Sequence, residues 1–174
     1  MTAGTSVSIV VMGVQGVGKS TIGGLLADRL GVPFVDGDSL HPPRNVELMA
    51  AGTPLEDVDR EPWLHIVGET LDAHRAEGGV VVACSALKRR YRDVLREHVP
   101  GLYIVEPSGP IELVTERVSA RTHEYMPATL LQSQYETLER LGDDERGIRV
   151  SIEPSPAEIV DTVIGDYTRS GAQQ

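Results

Sequence analysis

The stretch Gly13-Val14-Gln15-Gly16-Val17-Gly18-Lys19-Ser20 decides the reading of this chain. It has the pattern G-x-x-x-x-G-K-S, follows the apolar run Val7 to Met12, and opens a segment of helical periodicity. A strand, a glycine-rich turn and a helix in that order build a cradle for phosphate. Gly13, Gly16 and Gly18 permit positive φ, which turns backbone N–H groups inward toward an anion. The helix that follows adds the positive end of its dipole. Lys19 can reach the β- and γ-phosphates of a nucleotide, and the Ser20 hydroxyl can take a place on Mg2+. The competing reading is a glycine-rich turn that merely precedes Lys-Ser; the flanking strand and helix argue against it. The expected nucleotide contacts run through Gly16, Val17, Gly18, Lys19, Ser20 and Thr21.

Outward from the loop, Ile22, Leu25, Leu26 and Leu30 form a helical stripe stopped by Gly31 and Pro33. Gly23 and Gly24 inside that helix cost about 1 kcal/mol each against alanine, which suggests close helix–sheet approach near the phosphates. Val32 to Val35 reads as a second strand ending in Asp36-Gly37-Asp38. A helix from Pro42 and Pro43 to Ala50 precedes a polar, acid-rich loop, Thr53 to Arg60. Pro62 suits the first turn of a longer helix with Leu64, Val67, Gly68 and Leu71 on one face. Val80 to Ala83 and Leu102 to Val105 are continuous apolar runs, as central parallel strands require. Helices are expected from Ser85–Lys88 to about His98, over Pro110–Ala120, over Ala128–Leu141 and over Pro156–Tyr167. Ile148 to Ile152 alternates like a strand nearer the edge. Strands alternating with helices specify an α/β fold, a parallel sheet with helices on both faces. Ligands then gather at the carboxyl ends of the strands.

Composition sets the outer limits. The chain has 174 residues, enough for one domain with a sizeable core. A formal net charge of −10 argues against nucleic acid or an anionic membrane as the main partner. The single cysteine, Cys84, excludes an internal disulfide, suits a reducing cytosol, and reads as a small buried hydrophobe. No run approaches a membrane span and no signal sequence is evident, so a cytoplasmic protein is expected.

Several polar groups fall just after strands, on the ligand edge. Asp36 and Asp38 flank a glycine. One carboxylate can face the Mg2+ water shell and the other the acceptor hydroxyl, or both can belong to a solvated Asx turn. Arg60 either clamps an anionic substrate or pairs with its neighbours Asp57 and Asp59. Lys88, Arg89, Arg90, Arg92 and Arg96 form the dense basic run, which reads as solvated surface apart from Lys88, the member nearest a strand end. Arg117 and Arg121 lie one turn apart on a helix that runs into the break Arg121 to Pro127. An arginine carried on a mobile segment over the phosphates, roughly 121–134, is the arrangement of a lid. Surface pairing with Glu112 and Glu116 is the alternative, more plausible for Arg117 than for Arg121. His41 and His123 have no partners at metal-ligand spacing and read as polar substrate contacts or surface residues. Trp63 reads as core. No Asn-Lys-x-Asp guanine-reading motif occurs.

These stretches together resemble the gluconokinases, small P-loop kinases related to shikimate and adenylate kinases. The likeness rests on Met12 to Thr21, on Asp36-Gly37-Asp38-Ser39-Leu40-His41-Pro42 and on Gly52-Thr53-Pro54-Leu55. It continues through Asp57 to Leu64, Cys84-Ser85-Ala86-Leu87-Lys88, Tyr91-Arg92-Asp93, His123, Met126-Pro127 and Leu130 to Gln134. Gln15, Val17 and Tyr125 depart from the usual residues without touching the backbone cradle. The resemblance implies a P-loop kinase fold with a mobile lid, and ATP-dependent phosphorylation of gluconate at its terminal hydroxyl. It implies Asp38 as base and acceptor clamp, Asp36 as outer-shell Mg2+ partner, and Arg60 as the arginine on the substrate carboxylate. Ser85 and Lys88 would form a further substrate wall, Arg121 would be the lid arginine and Arg117 would stack on adenine. His123 and Gln134 would meet sugar hydroxyls. The family is typically dimeric, although nothing in this sequence shows a dimer.

A shikimate kinase would want a glycine triplet where this chain has Ser85-Ala86-Leu87. A nucleoside monophosphate kinase would want more arginines in the acceptor pocket. The paired aspartates and the lid arginine argue against an ATP-binding regulatory protein without turnover.

Overall fold

A computed structural model describes residues 5–122 and 128–171. Five strands form one parallel sheet: β1 (Val7–Val11), β2 (Phe34–Asp36), β3 (Gly79–Ala83), β4 (Tyr103–Ser108) and β5 (Gly147–Ser151), in the order β2-β3-β1-β4-β5. Ile9, Val10 and Val11 of β1 lie between β3 and β4, with Val11 opposite both Ala83 and Val105. The α/β expectation holds, and so does the edge position of β5. β3 is buried along its whole length, as a strand covered on both faces must be.

Among the described residues, seven α-helices flank the sheet: α1 (Lys19–Leu30), α2 (Pro43–Ala50), α3 (Asp57–Ala73), α4 (Arg89–His98), α5 (Ile111–Thr122), α6 (Ala128–Thr137) and α7 (Pro156–Gly171). One face of the sheet packs Val10, Val80 and Val82 against Trp63, Leu64, Val67 and Leu71 of α3 and Leu95 of α4. The other packs Ile9, Val81 and Val105 against Ile22 and Leu26 of α1 and Ile159, Val160 and Val163 of α7. A third cluster lies at the carboxyl edge, where Val14 and Val17 meet Val114 of α5, Leu131 of α6 and Ile152. That cluster roots the phosphate loop in the fold.

The structure corrects several local expectations. Leu25 is 38% exposed and stands outside the stripe of Ile22 and Leu26. Gly23 does allow close approach, since a Cβ there would lie 2.6 Å from the Phe34 ring of β2; Gly24 has open space and no such role. Residues 57–60, expected as loop, are the first turn of α3, because the Asp59 carboxylate caps Glu56 N–H at 3.0 Å. Pro62 therefore sits inside the helix rather than in its first turn. The carbonyl it leaves without a donor belongs to Val58, which is 67% exposed, so water can serve it. α6 stops at Thr137 instead of Leu141, because the chain turns to bind its neighbours: Glu139 N–H donates to Leu87 O at 2.8 Å and Leu141 N–H to a Glu106 carboxylate oxygen at 2.7 Å.

Candidate active site

The carboxyl ends of the strands bring the phosphate loop, the Asp36–Asp38 turn and the Cys84–Lys88 turn together. Gly13, Gly16 and Gly18 all adopt positive φ (138°, 86° and 99°), as the cradle demands. Gly16 also has no room for a Cβ, which would strike Val118 of α5. Lys19 begins α1, and its ammonium donates to the carbonyls of Gly13 and Val14 at 2.9 and 3.0 Å, curling over the loop. Burial lowers its pKa, while the nearby carboxylates of Asp38 and Asp36 pull the other way. Ser20 is exposed in the first turn of α1, and Thr21 lines a cavity of about 460 Å³ beside the loop.

That cavity is walled by Gly16, Val17 and Gly18 on one side, by Arg117 of α5 on another, and by residues 152–156 between β5 and α7. Arg117 thus lines the same cavity as the phosphate loop. The segment Ile152-Glu153-Pro154-Ser155-Pro156 was missed. Its signal was available, because two prolines just after a terminal strand and before a helix mark a loop on the ligand edge.

On the opposite side, Asp36 ends β2 and accepts the backbone N–H of Asp38 at 3.0 Å, capping the 3-10 turn Gly37–Leu40. The Asx turn is present, and both carboxylates remain exposed. Gly37 presses on the end of β3; a Cβ there would lie 2.5 Å from Ala83 O. Trp63, fully buried in α3, donates Nε1–H to Gly37 O at 2.8 Å and locks the turn from below. His41 stacks on the Trp63 ring with centroids 4.1 Å apart. Trp63 is therefore core and site support at once. Cys84 is buried, and its thiol pKa is pushed up to about 12, chiefly by burial and by Asp38.

Arg60 does not pair with Asp57 or Asp59. Its guanidinium donates to Leu55 O at 2.7 Å and lies 5.8 Å from the centre of the Tyr91 ring. Asp57 instead accepts from Tyr91 Oη, from Lys88 Nζ at 3.3 Å and from Arg90 at 3.1 Å. The Tyr91 bond, with Lys88 and Arg90, holds the Asp57 carboxyl below the usual carboxylate range. Asp59 meets Glu56 N–H and Arg44. Lys88, the N-cap of α4, is tied to Asp57 and lies 5.5 Å from the same Tyr91 ring. Arg60 and Lys88 thus form one basic wall at the Tyr91 ring, with the half-buried Ser85 three residues before Lys88, and Asp38 and Arg60 are both close enough to His41 to shift its charge balance.

Not every expected residue joins them. Gln134 of α6 is set against the phosphate loop, its Oε1 accepting Gln15 N–H at 2.6 Å. His123, the side chain of Arg121 and the 123–127 part of the lid 121–134 lie outside the described residues. The basic run is not uniformly solvated: Arg92 is 0% exposed. Its guanidinium grips Glu145 at 2.8 and 2.9 Å and donates to Ala86 O and Leu87 O at 3.0 and 3.2 Å. Arg92 thus holds the turn that carries Ser85 and Lys88. Burial raises the Glu145 pKa, but the hydrogen bonds from Arg92 and Gly142 outweigh it and the net shift is down. The partner sits in the acidic turn Gly142–Glu145, distant in sequence, so helical spacing alone could not reveal the pair.

A strand-ordered 2-3-1-4-5 sheet, a phosphate cradle and a facing acceptor wall define a P-loop phosphotransferase of small molecules. Comparisons with known proteins agree. A model of the shikimate kinase family matches residues 15–163. A gluconokinase of Gluconobacter oxydans is 47% identical over 161 residues, covering 91% of this chain and 90% of its own. The thermoresistant gluconokinase of Escherichia coli is 41% identical, with 86% of each chain covered. The crystal structure of a gluconokinase from Sinorhizobium meliloti superposes with a TM-score of 0.88 at 46% identity, covering 95% of this chain and 94% of that one. The chain belongs to the gluconokinases, a branch of the shikimate kinase family.

Proposed function

We propose that this protein transfers the γ-phosphoryl group of ATP to the 6-hydroxyl of D-gluconate, giving 6-phospho-D-gluconate and ADP. The observation that carries the reading is the pairing of Lys19 and its glycine cradle with a basic wall across the Asp36–Asp38 turn. A phosphate donor would lie in the first, and a substrate with a carboxylate at one end and a hydroxyl at the other would span the second. Similarity to the gluconokinases selects gluconate among such acids.

In this reading Gly16, Val17, Gly18, Ser20 and Thr21 hold the phosphates, and Arg117 with residues 152–156 encloses the base. Asp38 holds the acceptor hydroxyl and takes its proton as the oxygen bonds to the γ-phosphorus and the bond to the leaving ADP oxygen breaks. Lys19 neutralises charge on the transferring group, and Arg121, at the last turn of α5, would add to it from the lid. Arg60 clamps the carboxylate as a fork, with Ser85, Lys88 and His41 on the polyol. His123 and the amide nitrogen of Gln134 are further candidates for hydroxyls.

Mg2+ fits the site through Ser20 and, across water, Asp36. An ion bound with ATP would be carried mainly by phosphate oxygens and water. Mg2+ would supply charge neutralisation on those oxygens. Among the described residues no helix is long and apolar enough to cross a membrane. A cytoplasmic homodimer completes the proposal, and sedimentation at the mass of one 18.8 kDa chain would remove the dimer. The deciding experiment is a coupled ADP-release assay across gluconate, shikimate and nucleoside monophosphates. Turnover with gluconate is expected; turnover confined to another acceptor class overturns the assignment.

A further inference from the structure

Nothing in the sequence marks Asn45, yet it is only 2% exposed and sits where α2 meets α3. Its Nδ2 lies 3.0 Å from the carbonyl of Asp59 and 3.1 Å from His41 Nδ1. A backbone carbonyl can only accept, so the atom between these two partners must be the amide nitrogen and not its oxygen. The second hydrogen of that nitrogen then points at His41 Nδ1, which must accept it and so carries no proton. A neutral imidazole with a bare Nδ1 keeps its hydrogen on Nε2.

The ring has little freedom to escape this assignment. It lies flat on Trp63, with an interplanar angle of 14°, and Trp63 is itself pinned to Gly37 O. Nε2 has no protein partner among the described residues and is not sealed from solvent. Burial lowers the His41 pKa; Asp38 opposes this and Arg60 adds to it, leaving the neutral ring favoured.

We propose that Asn45 is a positioning residue that fixes His41 as the Nε2–H tautomer, so that the acceptor wall presents a neutral hydrogen-bond donor to a polyol hydroxyl oxygen. This rests on the gluconate reading above. Its chemical consequence is polarity. Asp38 can only accept and His41 Nε2–H can only donate, so a chain of neighbouring hydroxyls is read in one hydrogen-bonding direction.

The test uses the full-length protein labelled with ¹⁵N. Two-bond ¹H–¹⁵N correlation spectra, with His41 assigned by loss of its signals in His41→Gln, report which ring nitrogen bears hydrogen. Wild type should show a bare Nδ1 and a protonated Nε2; a protonated Nδ1 overturns the proposal, whether or not gluconate is a substrate. Measured at a pH where the ring is neutral, Asn45→Asp replaces the donor with an acceptor and should move the proton from Nε2 to Nδ1, with gluconate kcat/KM falling about tenfold and the KM for ATP within twofold. An unchanged tautomer in a folded Asn45→Asp overturns it as well. Should that variant not fold, His41→Gln and His41→Asn decide. Gln places its amide near the Nε2 position and should retain most gluconate affinity, whereas Asn places it near Nδ1 and should lose about tenfold. Equal losses in both overturn the donor role. Absence of gluconate turnover in wild type, with the tautomer as stated, sinks the substrate and leaves the tautomer standing.

Discussion

The two walls of the site are built differently. The nucleotide wall is made of backbone: three glycines at positive φ, a helix start and one lysine, all within eight consecutive residues. The acceptor wall is made of side chains gathered from distant segments. Asp57 reaches Tyr91 and Lys88 across more than thirty positions, Arg92 reaches Glu145 across fifty-three, and Trp63 reaches Gly37 across twenty-six. A cradle of N–H groups recognises phosphate, which every nucleotide carries, and tolerates changes such as Gln15 and Val17. A wall of cross-tied side chains recognises one acceptor and should fail when a single tie is cut.

The largest expected effect belongs to the nucleotide wall. Lys19→Ala should lower kcat about a thousandfold, through lost stabilisation of the transferring charge, with the circular-dichroism spectrum and Tm nearly unchanged. Activity within a few-fold of wild type would erase the distinction drawn here. Next, Arg92→Met leaves the Glu145 carboxylate buried with Arg96 as its paired cation and the Gly142 N–H as a donor. We expect a loss of about 3 kcal/mol, on the order of 10 °C in Tm, and a raised KM for gluconate as the Ala86–Leu87 carbonyls come free. The double variant Arg92→Met/Glu145→Leu should recover much of the stability and little of the KM. If it recovers both, the pair serves stability alone.

The two aspartates sharpen the comparison further, because they stand between the walls. Asp38→Asn should reduce kcat about a hundredfold with ATP binding intact, whereas Asp36→Asn should raise the Mg2+ concentration needed for half-maximal rate. The reverse pattern in a Mg2+ titration of both variants exchanges their roles. Arg60→Lys should raise the KM for gluconate about tenfold, since an ammonium lacks the bidentate fork; an unchanged KM returns Arg60 to its Leu55 carbonyl contact alone. The smallest effect is expected at Cys84. A thiol pKa raised to about 12 keeps the proton on sulfur at every pH below that value, so the thiolate nucleophile is absent at pH 8. Alkylation at pH 8 should be undetectable in the folded protein and rapid in denaturant; rapid labelling of the native chain would mean that the β3 end opens.

What the sequence determined by itself were features whose cause is local or periodic. The phosphate loop, the five strands, the edge place of β5, the burial of Cys84 and the ligand edge all follow from glycine placement, apolar runs and turn residues over short spans. What only the tertiary structure decided were the partners of charged and polar groups. Arg92 and Arg90 look alike in the run Lys88 to Arg96, yet one is fully buried and the other lies at the surface. Nothing near them in sequence distinguishes them; Glu145, brought beside α4 by the turn after α6, does. Likewise Gln134 went to the phosphate loop, Arg60 declined its acidic neighbours, and Asn45 acquired His41, because a hydrogen bond depends on where a donor and an acceptor meet in space and spacing along the chain does not record that.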